Sequence, residues 1–214
     1  TIAAQEGFRG LIDINVQLGD FESAEAVIES GIDRAEPLET VSADDYRLEL
    51  AKLRITWPDN NVKTSEGETF LSEPMLHHEA DTLRGLARET LANYYRLQGL
   101  YEESNRVYDN YLEIYPEDSI RSQLEFAKVL NTYNSGETEA ALEKAEELEE
   151  TLLSEVEEME EPPRRANHYR VLAVNFQQLE QYDKAQSYFR KAMEEVPMSR
   201  EALDMQFNIA QMYV

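Results

Sequence analysis

The sequence predicts an all-helical protein built from stacked helical hairpins, and three observations carry that expectation. Glycine and proline are scarce, at eight and seven of 214 residues, while Ala, Leu, Glu and Arg are plentiful, which favours helix over sheet. Tyr169, Leu172, Ala173, Phe176, Tyr182, Ala185, Phe189, Ala192 and Pro197 fall at the spacing of a helical hairpin. Small residues stand where two helices cross, aromatics fill the gaps beside them, and a proline closes the second helix. The same spacing returns 81 residues upstream at Leu91, Ala92 and Tyr95, followed by Gly99, Tyr101, Ser104, Tyr108, Tyr111 and Pro116.

Taken in order, a weaker first copy runs from Phe8 through Leu11, Ile12, Gly19, Phe21, Ala24, Ile28 and Gly31 to Pro37, with Asn15 in place of an aromatic. A helix then extends from an N-cap at Ser42 or Asp44 to Trp57, with Leu48, Ala51 and Ile55 on one face. Pro58 to Pro74 contains Asn60, Asn61, Ser65, Gly67 and Ser72 and reads as a loop inserted in the repeat. Met75 to Gln98, interrupted only by Gly85, reads as the rest of that repeat running into the next as one long helix. The fourth unit begins near Ser119 with Phe126, Ala127 and Leu130 on its inner face and turns at Asn134 to Gly136. It enters a long amphipathic helix through Ala141, Ala145, Leu148, Leu152, Val156 and Met159, ended by Pro162 and Pro163. After the clean fifth copy, a terminal helix places Leu203, Phe207 and Ala210 on one side.

At these residues the chain resembles the tetratricopeptide repeat (TPR) family, whose unit is an antiparallel helix pair of about 34 residues. The resemblance implies an all-α, right-handed superhelical solenoid of about five repeats plus a terminal helix. On that reading 1–214 is a single helical-repeat domain with units near 5–38, 39–84 (loop 58–74 inserted), 85–118, 119–165 (with the extended acidic helix) and 166–199, then helix 200–214. A repeat cannot bury its apolar face alone, and Met205, Phe207, Met212 and Tyr213 do not suit a polar cap. The last helix is therefore read as part of a repeat cut short. With no initiating methionine and a helical pattern within a few residues of its start, the chain is read as a fragment of a longer array or a processed form.

Charge narrows the partners. The formal charge of −24, from 44 acidic and 20 basic residues, opposes binding to nucleic acid or an anionic membrane and attracts a basic protein surface. No apolar run of about 18 residues marks a membrane-inserting helix. With no cysteine, disulfides, thiolate metal sites and a cysteine nucleophile are excluded. Glu73, His77, His78 and Asp81 suggest a metal cluster through the one-turn spacing of His77 and Asp81. The group lacks HExxH order and a further ligand from another element, and reads better as a polar helix start. Asp59 to Glu68 lacks the ligand spacing of a calcium loop. Phosphate-binding loops, a nucleophile elbow and a framed carboxylate pair are missing, and with three histidines the chain reads as a non-enzyme without cofactors.

Most of the tyrosines at 94, 95, 101, 108, 111, 115, 169, 182 and 188 sit at repeat spacing and read as packing residues; Tyr94 and Tyr115 fall off that pattern and are candidates for partner contact. Glu137 to Glu161 holds twelve glutamates and one lysine on a helical apolar frame, which fits either a solvated face or a docking strip for a basic partner. In stacked hairpins the first helices line an inner groove. Here that face carries Arg9, Asp13 and Val16, then Glu89, Asn93 and Arg96, then Lys128 and Asn131, and then Arg170, Val174 and Gln177. Family members that clamp a terminal carboxylate use basic and amide residues one turn apart. The pairs Arg9/Asp13, Glu89/Asn93 and Arg170/Val174 do not reproduce that clamp.

The functional reading is a non-catalytic scaffold or adaptor that binds a peptide or helix of a partner protein in its groove. The alternatives are a structural segment that self-associates through its terminal helices, or a regulatory domain of a larger protein. Lysine is rare beside arginine, which points to adaptation to high salt. Because salt screens acidic self-repulsion, helicity and melting temperature should rise with salt. Continued stabilisation into molar salt, followed by circular dichroism, marks a halophile; a plateau at physiological ionic strength rejects that adaptation.

Overall fold

The structure is a computed structural model, and it describes residues 2–36, 43–73, 75, 77–116, 120–197 and 199–212. Among them are eleven helices: α1 (Ile2–Gln17), α2 (Phe21–Ala35), α3 (Ala43–Ile55), α4 (Asn61–Ser72), α5 (Asp81–Leu97), α6 (Tyr101–Ile114), α7 (Arg121–Asn134), α8 (Thr138–Glu158), α9 (Pro162–Gln178), α10 (Tyr182–Glu195) and α11 (Arg200–Gln211). The helices pack in consecutive pairs. They divide into two compact units, Thr1–Val107 and Tyr108–Val214. Pro37, Ser42 and Ser119 lie outside the described residues.

One backbone device recurs in every hairpin. Gly19, Asp59, Gly99, Gly136 and Glu180 all have positive φ, and each stands two residues before an even-numbered helix. In four of these turns the next residue's N–H reaches back five residues, as from Asp20 to Asn15, Leu100 to Tyr95, Glu137 to Thr132 and Gln181 to Phe176. This left-handed ending satisfies the last carbonyls of the first helix and reverses the chain. Side-chain caps then start some of the helices: Asp20 accepts from the N–H of Ser23, Asn60 from that of Lys63 and Ser199 from that of Ala202.

In the first unit, α3 packs on both α2 and α4, and α5 packs on α3 and α4. Ala24, Ile28 and Leu53 form a core flanked by Ile12, Phe21, Ile32, Tyr46, Leu50 and Trp57. The expected loop at 58–74 is instead largely a helix, α4, and the expected long helix through Met75 is broken by the bend before α5. The reason lies in how the supposed breakers are used. Asn60 caps α4, while Gly67 sits buried at the α3–α4 crossing, where a Cβ would stand 2.6 Å from Ile55 Cγ2 and 2.8 Å from the Ala51 carbonyl oxygen. Met75 is buried, and Gly85 is carried inside α5. Leu11, taken from the repeat spacing as a packing residue, is 53% exposed.

A charged cluster ties three helices of this unit together. Glu25 on α2 accepts hydrogen bonds from Arg54 of α3 and Lys63 of α4, both at 2.8 Å. Glu29 and Glu66 lie 3.6 and 3.5 Å from the same arginine. Burial pushes the Glu25 carboxyl up, but the Lys63 and Arg54 partners together outweigh it and hold it below its ordinary value.

In the second unit, Phe126, Leu172, Phe176 and Phe189 are buried in a core shared by helices α7 to α11. Phe126 meets Phe176 edge-on at 6.4 Å, and Tyr188 stacks on Tyr169 and Phe176 at 6.3 and 6.0 Å. The acidic α8 turns Ala141, Ala145, Leu152 and Val156 inward. Its Glu149 accepts from the Tyr188 hydroxyl and, at 2.8 Å, from Lys184, which also reaches Glu146 at 3.1 Å. Burial and then the Glu149 bond raise the Tyr188 hydroxyl well above its ordinary pKa. On α11 the buried side is Ala202 and Met205, with Ile209 and Met212 packed beside them. The expected stripe faces the other way, with Leu203 and Phe207 65% and 63% exposed.

Two predictions follow from this packing. Gly67→Ala should cost about 1–3 kcal/mol, because backbone atoms block the added methyl, whereas Gly7→Ala on α1, with nothing within 4 Å, should gain about 0.5–1 kcal/mol. Urea melts of both variants check the contrast, and a neutral Gly67→Ala rejects the tight crossing. Glu25→Gln should cost about 1–2 kcal/mol at neutral pH. A depressed folded pKa adds stability above the unfolded value that is lost as pH falls through the folded one. The difference between variant and wild type should therefore shrink as pH falls through the acidic range, and a difference independent of pH rejects the assignment.

Candidate functional site

The residues expected on the inner face divide sharply by environment. Arg9 and Asp13 on α1, Glu89, Asn93 and Arg96 on α5, and Arg170 on α9 are exposed. Val16 is marginally exposed, Gln177 is half-buried, and Val174 packs against the core of the second unit. Lys128 is held between Asp109 at 2.6 Å and Glu125 at 3.0 Å. Asn131 is a correction: it is 1% exposed and lines no surface. It stands two turns after buried Leu124 on the inward side of α7, where its polar character misrepresents its position.

Each unit has a cleft between successive odd-numbered helices. In the first, the end of α3, the α3–α4 turn and α5 enclose about 530 Å³ lined by Trp57, Pro58, Thr64, Asn93, Tyr94 and Leu97 among others. Asp59, with φ of 54°, forms part of its wall. Asn93 accepts a 2.6 Å bond from Arg96, which fixes that guanidinium on the helix face. Tyr94 lies 5.4 Å from Tyr95, and the Tyr95 hydroxyl is pushed up to about 12, first by burial and then by Glu68. Tyr94 therefore occupies a cleft wall, whereas Tyr115 is half-buried against Tyr111 at 5.0 Å.

In the second unit, α9 and α11 enclose about 560 Å³. Ala166, Val196 and Met205 supply apolar lining, and Asn167, Arg170, Glu201, Asp204 and Asn208 supply polar groups. Arg170 donates to the Asn167 side chain at 2.9 Å. The α11 residues of this cleft were missed in the sequence, although a signal exists: translating Asn167 and Arg170 by one repeat length lands on Glu201 and Asp204. Trp57 and Pro58 escape a reading of the sequence because Trp57 ends the expected helix and Pro58 opens the expected loop, so neither is expected to face a neighbouring helix.

The other candidates resolve plainly. His77 lies in the turn before α5, so the helical spacing to Asp81 is not formed. His78 Nε2 lies 3.0 Å from Asp44 Oδ2, and its Nδ1 accepts from the Ala80 N–H. Among the described residues no group of three His, Asp or Glu side chains could hold a metal ion. On α8, Glu146 and Glu149 are engaged by Lys184 and Glu155 lies 3.6 Å from His168, while Glu139, Glu143, Glu147, Glu150, Glu157 and Glu158 face outward. No described helix is long and apolar enough to cross a membrane.

Comparison with known proteins agrees with the fold. Residues 171–195, the second half of α9 together with α10, match the tetratricopeptide repeat family model. The crystal structure of BtubC (BKLC) from P. vanneervenii is similar over 91% of this chain and 80% of its own, at 16% identity and a TM-score of 0.50. The nearly identical TPR-like repeats of a Podosopora anserina protein named as a kinesin light chain are similar over 89% of this chain and 93% of theirs, at 18% identity and a TM-score of 0.50. No curated protein matches the sequence. The chain thus matches the tetratricopeptide repeat model at residues 171–195, and its fold of consecutive helix pairs is TPR-like over most of its length.

Proposed function

We propose that this protein is a non-catalytic scaffold or adaptor that holds a peptide or helix of a partner protein against the first helices of its hairpins. Tetratricopeptide repeats generally mediate protein–protein interactions. The observation that supports the finer reading is the pair of clefts, one in each unit, between odd-numbered helices that follow one another in the array. Each combines apolar lining with side-chain amides that can donate and accept hydrogen bonds. An extended segment needs that combination, because its main chain loses water on binding and must be paired again.

Arg96 and Arg170 are the residues best suited to anchor such a segment. Each is exposed and aimed by a bond to an asparagine one turn earlier on its own helix. A guanidinium held in this way loses less freedom on binding than a free one. Peptides selected from a display library on the wild-type protein should bind the Arg96→Ala/Arg170→Ala variant at least about tenfold more weakly, with helicity unchanged. Equal binding to both proteins, with intact helicity, rejects the groove assignment.

A further inference from the structure

Arg170 and Asp204 stand on opposite walls of the cleft in the second unit, one on α9 and one on α11. Both are exposed, and among the described residues neither has an ion-pair partner. Arg170 is aimed by its 2.9 Å bond to Asn167. Glu201, on the same wall as Asp204, is already engaged: its own backbone N–H and then the Ser199 hydroxyl hold its carboxyl below its ordinary value. Arg200 acts on Glu201 and lines no part of the cleft. Among the described lining residues, Asp204 is thus the carboxylate left to a ligand, and Arg170 the cation. The packing of the next helix leaves this cleft open. Tyr188 of α10 stacks on Tyr169 and Phe176, which lie on a different side of α9 from Asn167 and Arg170.

Two electrostatic effects compete over what such a cleft accepts. The net charge of −24 alone favours a ligand whose charges are all basic. At physiological ionic strength, however, exposed charges are largely screened beyond about 8 Å, so at contact the groups of the cleft decide. Those groups call for one charge of each sign, because a segment of one sign meets repulsion at one wall. The uncharged lining suits the rest of a polypeptide. Buried Ala166 and Met205 form an apolar floor, and half-buried Asn208 can donate and accept hydrogen bonds to a main chain. An extended chain points successive side chains to opposite sides. Residues an odd number of positions apart therefore face opposite walls.

We propose, on the basis of the groove reading, that the α9–α11 cleft takes an extended segment of a partner protein with a basic and an acidic residue an odd number of positions apart. The basic residue pairs with Asp204 and the acidic one with Arg170. The acidic residue is the diagnostic part, since the overall charge of the chain opposes it.

Peptides from a random display library, selected on the whole wild-type chain at physiological ionic strength, test the proposal. Those that depend on Arg170 should carry Lys or Arg an odd number of positions from Asp or Glu. Arg170→Glu and Asp204→Lys should each weaken them at least about tenfold. The double variant should prefer, again by at least about tenfold, a peptide whose two charges are exchanged. Both side chains are exposed, so circular dichroism should show native helicity in all three variants. Peptides that depend on Arg96 alone, that carry one sign of charge, or that ignore Asp204→Lys would overturn the charge pairing and leave the groove reading standing. A double variant with no preference for the exchanged peptide would do the same. A wild-type chain that selects no peptide, or only peptides indifferent to Arg96→Ala/Arg170→Ala, would overturn both.

Discussion

The close crossing of two helices joined by a left-handed turn is the constraint from which the other features of this protein follow. Five residues of positive φ, each two positions before an even-numbered helix, reverse the chain at corresponding points. Three are glycines, which adopt that conformation without a steric penalty, while Asp59 and Glu180 adopt it at some cost. Once the chain has turned there, the second helix lies against the first, and small residues must stand where they meet. Gly67 against Ala51 and Ile55 shows how little room remains.

Charge is organised around that packing and does not create it. The basic residues are few, and several are held in clusters that join helices: Arg54 and Lys63 with Glu25 in the first unit, and Lys184 with Glu146 and Glu149 in the second. Partly exposed pairs of this kind contribute modestly one by one and more as networks. Much of the acidic excess stays in water, concentrated along the outer side of α8. That surface favours solubility and repels other copies of the same chain.

The clefts arise where hairpins follow one another, so they are made by neighbours and belong to no single repeat. Asn167 and Arg170 come from α9, while Asp204 and Asn208 come from α11. In the first unit the wall at Trp57 and Pro58 exists only because α4 turns back immediately after α3. The same geometry that buries an apolar stripe between helices leaves a polar-rimmed furrow on the side where the odd-numbered helices meet.

Much of the helical repeat was legible in the residues themselves. Hairpin spacing from Tyr169 to Ala192, the outward glutamates of α8 and the exposure of Arg96 and Arg170 depend on local periodicity, which a sequence displays directly. Gly67 and Asn60 were misread because the residues that break helices also cap them and let them cross closely, and only the neighbouring helix distinguishes these uses. Asn131 was misplaced because a polar side chain can be buried where tertiary contacts provide for it, and the outward turn of Leu203 and Phe207 depends on which side of α11 meets α9 and α10. The sequence by itself determined the helical class, the hairpin repeat and the acidic surface, because each is set by composition or by spacing within one or two helices. Tertiary structure alone decided which residues enclose the clefts and which apolar faces remain open, because both depend on contacts between helices distant in the chain.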